Sequence, residues 1–211
     1  MRPLLLPTII ILGLVLKHNA GKNRGNNKNS VASYIKREEN ANFTRRQDIS
    51  NLPYITIPFD QLPLDITLKD KNMQSKIVEY RKIFQELSDT KMLNLIGVSN
   101  VELKERYGPA NLEQLSSADA NYSRYIRTLS LYADCIMDEF PKEAVAISQY
   151  CIRIGTDISS TYVLLGNYYY SHERIEQFNS LYDAIPDKES IAGKTIVRKL
   201  ENIRQTNHAD N

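Results

Sequence analysis

Apolar residues recur at alternating steps of four and three from Lys69 onward, and this period restricts the fold more than any other feature of the sequence. The first run would lie on one face of an α-helix, and it consists of Met73, Ile77, Tyr80, Phe84 and Leu87. Equivalent stripes recur along the rest of the chain, at Tyr122, Tyr125, Leu129, Tyr132 and Ile136; at Ala144, Ile147, Cys151 and Ile154; at Tyr162, Leu165 and Tyr169; at Ile175, Phe178, Leu181 and Ile185; and at Ile196, Leu200 and Ile203. We therefore predict an all-α fold.

Capping and turn residues divide these stripes into separate helices. Ser99 and Glu102 have the spacing of a capping box, in which each residue satisfies a backbone N–H of the other. The remaining predicted boundaries are a stop at Gly108-Pro109, starts at Ser116–Asp119, Pro141 and Asp157, a stop at Pro186, and a last helix from about Glu189 to Gln205. Helices joined by such tight turns pack as antiparallel hairpins. We predict a helical body over residues 51–205, with its helices in 69–205, a final capping helix and a disordered tail at 206–211.

Residues 51–66 have a different pattern, and we call them the strap. Prolines at 53, 58 and 63 favour extended backbone before each of them, and Ile55, Ile57 and Phe59 alternate with Thr56 and Pro58. Proline excludes such a segment from a central strand, and no second strand candidate follows. The sequence predicts an extended segment lying on the helices, with Ile55, Ile57, Phe59 and Leu62 as its buried side.

The N-terminal segment is uncharged from Pro3 to Leu16. As a helix it would reach about 21 Å, against a hydrocarbon core of about 30 Å, but Arg2 and Lys17 can extend the span from its two ends. His18-Asn19-Ala20 is a poor match to a small-residue cleavage site. We predict an uncleaved transmembrane anchor at residues 3–17, with a cleaved signal peptide or a peripheral or buried segment as alternatives.

The distribution of charge predicts the orientation of this anchor. Residues 1–50 contain nine Lys or Arg and three acidic residues, a net +6, whereas the rest of the chain contains 18 and 22, a net −4. Positive flanking residues stay in the cytoplasm, so we predict a single-pass protein of the cell membrane with a cytoplasmic body. The basic residues 18–50 are predicted to be a flexible linker with a short helix at about 32–46, and the acidic body argues against nucleic acid as a partner.

A stretch near the C-terminus resembles a tetratricopeptide repeat. Tyr162, Leu165, Gly166 and Tyr169 match the first helix of that repeat and Tyr182 matches the second. Thirty-four residues upstream, the positions that suit the same frame are Leu131, Ala144 and Cys151. The resemblance covers about residues 124–186 and implies stacked helical hairpins, although any antiparallel hairpin array would have the same stripes. The anchor, the strap and the stretch LNLIGVSNVELKERYGPANLEQLSSADANY are also similar to a group of uncharacterised membrane-anchored bacterial proteins.

Residues suited to catalysis or metal binding are scattered. His18, His172 and His208 have no partner at metal-ligand spacing, and no nucleophile-elbow, zinc-protease or phosphate-loop motif occurs. Cys135 and Cys151 lie on apolar stripes and are predicted to be buried free thiols. We expect no enzyme activity, metal or cofactor.

The run Tyr168, Tyr169 and Tyr170 is the most distinctive feature left. Three consecutive residues point different ways around a helix, so at least one is expected to face outward or into a groove, and tyrosine is favoured at interfaces. Packing within the core is the alternative. The leading hypothesis is a membrane-tethered, non-catalytic helical-repeat adaptor that binds a cytoplasmic protein or peptide through these tyrosines. Its alternatives are a membrane-associated enzyme with an unrecognised site and an exported surface-binding protein.

Overall fold

Helices account for nearly all the regular structure of this chain. The computed structural model describes residues 30–209, and side-chain burial within 33–206. Its elements are α1 (Ser30–Ala41), α2 (Lys71–Leu87), α3 (Asn100–Tyr107), a 3₁₀ turn (Pro109–Asn111), α4 (Leu112–Ile136), α5 (Pro141–Arg153), α6 (Ser159–Ser171), α7 (Ile175–Asp183) and α8 (Ile191–Ala209). Within this range the only β pairing is an isolated antiparallel bridge between Ile55 and Met92, which confirms the all-α class.

The chain divides into two compact units. Among the described residues, the first unit contains 30–53 together with Gly97–Ser116, and the second contains Tyr54–Ile96 and 117–209. The sequence analysis instead predicted one body from residue 51. The division was not predicted because the first unit joins two stretches that are far apart in the sequence.

The first unit is built around a buried asparagine. The Asn111 side chain is fully buried; its amide nitrogen donates to the Gln47 carbonyl at 2.8 Å and the Tyr107 carbonyl at 2.7 Å, and its oxygen accepts from Arg46 Nε at 3.1 Å. This amide therefore pairs with one loop carbonyl, that of Gln47, and with the carbonyl of Tyr107 at the C-terminal end of α3.

Within residues 30–50, the same unit corrects the expectation of a flexible linker over residues 18–50; residues 18–29 lie outside the described residues. Helix α1 packs against α3, Arg37 forms a bidentate ion pair with Glu105, and Ala41 and Ile49 are buried. The described part of that segment is folded because it binds residues 97–116, which no local sequence pattern reveals. The short helix also ends earlier than the predicted residue 46, at Ala41.

The core of the second unit is rich in tyrosine. Phe84 of α2 packs against Tyr125 and Tyr132 of α4 at centroid distances of 6.0 and 5.9 Å, and Tyr125 meets Tyr150 of α5 edge-on. The hydroxyl groups of several buried tyrosines reach backbone carbonyl oxygens. The Tyr162 hydroxyl, for example, lies 3.0 Å from the Thr156 carbonyl oxygen and 3.1 Å from the Ala184 carbonyl oxygen, and it shares its one hydrogen between them. Burial raises the pKa of these phenols, so they are neutral core residues.

Apolar side chains of the strap are buried in this core. Leu62, Leu64, Ile66 and the following Leu68 are buried while residues 61, 65 and 67 are exposed, the period of an extended chain. The prediction for Phe59 is wrong, since 48% of that side chain is exposed. A turn in which Pro58 O accepts from the N–H groups of Gln61 and Leu62 interrupts the alternation there.

Backbone groups of the strap are paired with side chains of the helices. Arg81 of α2 donates from Nε to Leu64 O at 2.8 Å and from Nη2 to Ile66 O at 2.6 Å, and Tyr132 accepts from Ile66 N–H at 3.4 Å. These bonds replace the ladder of a neighbouring strand, so an extended segment can be ordered without a sheet.

The C-terminal helices pack around α6, which contacts α5, α7 and α8. Gly166 lies where they meet: a Cβ atom there would be 3.0 Å from Ile203 Cδ1, 3.1 Å from Leu200 Cδ2 and 3.4 Å from the Phe178 ring. Gly166 therefore faces both α7 and α8, and two of its three nearest neighbours belong to α8.

Helix boundaries differ from the predicted ones in an instructive way. The capping box at Ser99 and Glu102 is confirmed, with both reciprocal bonds present. Ser116 and Asp119 open no helix, because the 3₁₀ turn after Gly108 leads directly into α4; Asp119 accepts the N–H of Leu95 instead. Asp157 does not cap α6 either, because Ile158 occupies the cap position.

Two predicted segments concern the ends of the chain. Residues 3–17, predicted to be the anchor, lie outside the described residues, and none of the helices within 30–209 is long and apolar enough to cross a membrane. At the other end α8 continues to Ala209, whereas the sequence analysis placed a disordered tail from residue 206. In this last part of α8, Thr206 Oγ1 donates to Asn202 O, one turn earlier, at 2.9 Å.

Candidate functional site

The three consecutive tyrosines of α6 have three different surroundings. Because each residue turns the helix by about 100°, Tyr168 faces an open depression, Tyr169 faces α5, and Tyr170 lies edge-on to Phe178 of α7 with the ring centroids 5.1 Å apart. Their exposed fractions are 9% for Tyr168 and 5% for Tyr169, and Tyr170 is partly exposed. Core packing thus accounts for most of the run.

Tyr169 has a structural role. Its hydroxyl oxygen accepts from Gln149 Nε2 at 2.8 Å, and its backbone carbonyl accepts the N–H of Arg174 at 2.8 Å. Both contacts tie α6 to neighbouring residues, so this side chain is not free to contact a partner.

Tyr168 forms part of a depression of about 430 Å³ on the surface of the second unit. The depression lies between the end of α4, the start of α5 and the C-terminal half of α6, and its lining residues are Met137, Pro141, Lys142, Asn167, Tyr168, Ser171 and His172. Its volume is within the range of small-ligand and side-chain pockets. Of the predicted tyrosines, only Tyr168 contributes to it.

A stack of two rings forms one wall of the depression. Tyr168 and His172 are four residues apart on consecutive turns, and their rings lie 4.1 Å apart at an angle of 28°. His172 Nδ1 is 2.8 Å from the Tyr168 carbonyl. Because a carbonyl can only accept, this contact places a hydrogen on Nδ1 and leaves Nε2 as the second polar atom of the ring.

The loop after α6 holds this wall in place. Glu173 has a φ of +58°, a left-handed conformation that turns the chain back sharply, and the Arg174 guanidinium then lies 5.7 Å from the Tyr168 ring centroid. Ser171 Oγ also donates to the Tyr168 carbonyl at 3.1 Å. The ring of Tyr168 is therefore held by contacts with His172 and Arg174 within the chain itself.

Hydrogen-bond donors surround the apolar part of the depression. Met137, Pro141 and the Tyr168 ring supply apolar surface, while Lys142 and Asn167 are exposed at the edge. Among the residues that the structure places around it, Lys142 is a cation and none is a carboxylate. This combination suits an apolar side chain that is followed or preceded by an acidic group.

The described residues contain no group of three or more His, Cys, Asp or Glu side chains that could hold a metal ion. Cys151 is buried, and burial raises the pKa of its thiol to about 12, which leaves little reactive thiolate at neutral pH. Cys135 is only partly buried, contrary to the prediction, and its Sγ lies 3.7 Å from Met73 Sδ.

Sequence reasoning identified Tyr168 and missed the residues around it. The four-residue spacing of Tyr168 and His172 could have paired them on one helix face, but His172 was judged only by its distance from other metal ligands. Met137 and Lys142 come from other elements, and nothing local links them to α6.

No family model, curated protein or solved structure matches this chain, so its function is inferred from its own residues.

Proposed function

We propose that this chain is a membrane-tethered, non-catalytic helical adaptor, which holds a segment of a cytoplasmic protein in the depression around Tyr168. In this proposal residues 3–17 are a single-pass anchor in the cell membrane and the described residues lie in the cytoplasm. The observation that carries the binding role is the depression itself, with its fixed aromatic wall and its edge of donors.

The packing of the C-terminal helices supports an adaptor of the hairpin-array type. Three residues join α6 to α7, the two helices pack against each other, and α6 also contacts α5 before it and α8 after it. Such packing of neighbours is what stacked hairpins require, and we propose a tetratricopeptide-like arrangement for residues 124–186 on this basis, with α8 as the capping helix.

The charge of the depression supports an acidic peptide as the partner. Lys142 is exposed and forms no ion pair with another described residue, so its ammonium group is free to meet a carboxylate. The apolar surface of Met137 and Tyr168 would then cover one neighbouring apolar side chain. Arg174, whose guanidinium lies 5.7 Å from the centroid of the Tyr168 ring, adds positive potential.

Site-specific photo-crosslinking in living cells tests this proposal. A photoreactive amino acid replaces Asn167 in the full chain, and the same amino acid at Gln177, an exposed position of α7 outside the depression, is the matched control. We expect a discrete crosslinked product from position 167 and none of that size from position 177.

Charge-reversal variants test whether the crosslinked partner binds in the depression. Lys142→Glu should abolish the crosslink, because it places a carboxylate against an acidic segment, whereas Lys82→Glu, at an exposed lysine of α2, should leave it unchanged. A product that survives Lys142→Glu, or one that both lysine variants weaken equally, would show that the depression does not select the partner.

A further inference from the structure

Phe43, in the first unit, is an aromatic residue whose side chain is exposed to solvent by the turn in its own backbone. The side chain is 88% exposed, and it lies on the turn directly after α1. That turn is hydrogen-bonded, with Phe43 N–H donating to Asn40 O at 3.1 Å and Thr44 N–H to Ala41 O at 3.2 Å. The exposure of the ring is thus a property of a formed turn.

Contacts on the other side of the turn hold it to α3. Gln47 N–H donates to the Tyr107 carbonyl at 3.0 Å. Gly108 has a φ of +82°, and a Cβ atom there would lie 2.9 Å from Arg45 O, so the two backbones touch. The segment that carries Phe43 is therefore anchored at both ends, and its ring is presented at little further entropic cost.

Two arginines follow this ring. Arg45 and Arg46 are both exposed, and in the part of the chain that the structure describes neither is in an ion pair with a carboxylate. Arg46 Nε contacts only a neutral amide oxygen, that of Asn111. Ile35 of α1 is also half exposed. An exposed aromatic ring beside unpaired cations suits the interfacial region of an anionic membrane, where the ring enters the headgroup layer and the cations meet lipid phosphates.

The length of chain before α1 brings this turn within reach of a bilayer. Twelve residues, 18–29, separate the proposed anchor from Ser30, and they include Lys22, Arg24 and Lys28. Twelve residues reach at most about 40 Å, which exceeds the roughly 18 Å length of α1 together with the headgroup layer.

We propose that Phe43, with Arg45 and Arg46, docks the first unit onto the anionic lipid surface of the membrane that anchors the chain. The occupant of this surface is lipid, with a protein partner as an outcome of the test below. This inference rests on the proposed anchor, but it assigns a second and separate membrane contact to folded residues. The ring inserts at the interface and the arginines provide the preference for anionic headgroups.

The sequence contains no tryptophan, so Phe43→Trp introduces a single reporter. The full chain carrying it is reconstituted into nanodiscs of neutral lipid, or of neutral lipid with a fraction of anionic lipid, each with or without brominated acyl chains that quench indole emission. Ile191→Trp is the matched control, because Ile191 is also 88% exposed and lies in the second unit. We expect about twofold quenching of the Phe43→Trp emission in anionic brominated discs and none for Ile191→Trp.

A charge variant tests the role of the arginines. Arg45→Glu in the Phe43→Trp background should remove most of the quenching, while Arg198→Glu, at an exposed arginine of α8, should not. Equal quenching in neutral and anionic discs, or equal effects of the two arginine variants, overturns the assignment of anionic lipid.

The nanodisc experiment distinguishes a failure of the proposed anchor from a failure of the proposed docking surface. A chain that does not co-elute with the discs contradicts the anchor and hence the proposed function. A chain that co-elutes with the discs and shows no quenching at the Phe43→Trp position keeps the anchor and overturns the docking surface; a blue shift of that emission that appears only with a protein partner would assign Phe43 to that partner.

Discussion

Gly166 shows how one small residue sets the spacing of three helices. Its nearest neighbours belong to α7 and α8, so the missing side chain allows α6 to approach both. A glycine inside a helix costs about 1 kcal/mol relative to alanine, and the close approach of Leu200 and Ile203 offsets that cost.

We predict that Gly166→Leu lowers the free energy of unfolding by about 1–3 kcal/mol, because four added carbons have no room beside Ile203 Cδ1 and Leu200 Cδ2. Urea unfolding followed by far-UV circular dichroism measures the change. Gly166→Ala is the control: its methyl group meets the ends of two flexible side chains that can shift, and better helix propensity compensates, so its effect should stay within about 0.5 kcal/mol. Equal stability of parent and Gly166→Leu would contradict the packing described here.

Single residues were predicted well where the reason for them is local. The apolar period placed Tyr122, Tyr132 and Tyr162 in the core, and all three are fully buried, because helical spacing alone decides which face a residue is on. Most partners of their hydroxyl groups were not predictable, since Ile154, Pro63 and Ala184 lie 22 to 69 positions away in the sequence.

Among the elements, the strap depends most clearly on a few specific side chains. Arg81 supplies two hydrogen bonds to strap carbonyls, whereas its ion pair with Asp65 at 3.2 Å involves a fully exposed carboxylate and contributes little. The carbonyl bonds therefore account for most of what this side chain contributes to stability.

Arg81→Met should accordingly lower the free energy of unfolding by about 1–3 kcal/mol, because it leaves the carbonyls of Leu64 and Ile66 without their donors. Arg124→Met is the matched control, since Arg124 makes one exposed ion pair, with Glu86, and its loss should cost at most about 0.5 kcal/mol. Chemical unfolding of the three proteins under identical conditions compares them. An equal decrease in the free energy of unfolding of Arg81→Met and Arg124→Met would contradict the role assigned to the carbonyl bonds of Arg81.

Sequence reasoning predicted the strap and only part of how it is held. Proline spacing indicated extended backbone, but the buried residues run on to Leu68 and exclude Phe59, because a turn at Pro58 resets the alternation. The bridge from Ile55 to Met92 was also missed, since a single residue pair leaves no periodic trace in the sequence.

At the scale of the whole chain, the first unit is assembled from two separated stretches. Arg37 and Glu105 join them across 68 positions through two hydrogen bonds of 2.6 Å. The Arg37 guanidinium holds the pKa of Glu105 below its ordinary value. A carboxyl whose pKa is lowered by folding adds stability above its unfolded pKa, and this stability is lost as the pH falls through the lower, folded pKa.

We therefore predict that a double-mutant cycle of Arg37→Gln and Glu105→Gln gives a coupling energy of about 0.2–1 kcal/mol at neutral pH, a range set by the partial exposure of both side chains. The coupling should vanish below the folded pKa of Glu105, where the carboxyl is protonated. Urea unfolding of the four proteins at neutral and at strongly acidic pH measures both values. A coupling that is independent of pH would contradict an ionic origin.

The division into units is the part of the fold that the sequence conceals most completely. Apolar periodicity identifies which residues are buried and the type of each element, but both stretches of the first unit carry mostly polar side chains. Their association depends on Asn111 and Arg37, whose partners are distant in sequence. The depression around Tyr168 could not be predicted for the same reason, because its lining residues come from elements that are separated in the sequence.

The separated origin of the first unit has a consequence during synthesis. Glu105 follows Ala41 by 64 positions, so at about 5–20 residues per second a ribosome needs roughly 3–13 seconds to supply the second stretch after the first. Until then α1 is an isolated helix of twelve residues, too short to be stable in water by itself. The earlier of the two stretches therefore waits for residues 97–116 before its unit can form, and a nascent chain stalled before residue 97 would still lack the first unit.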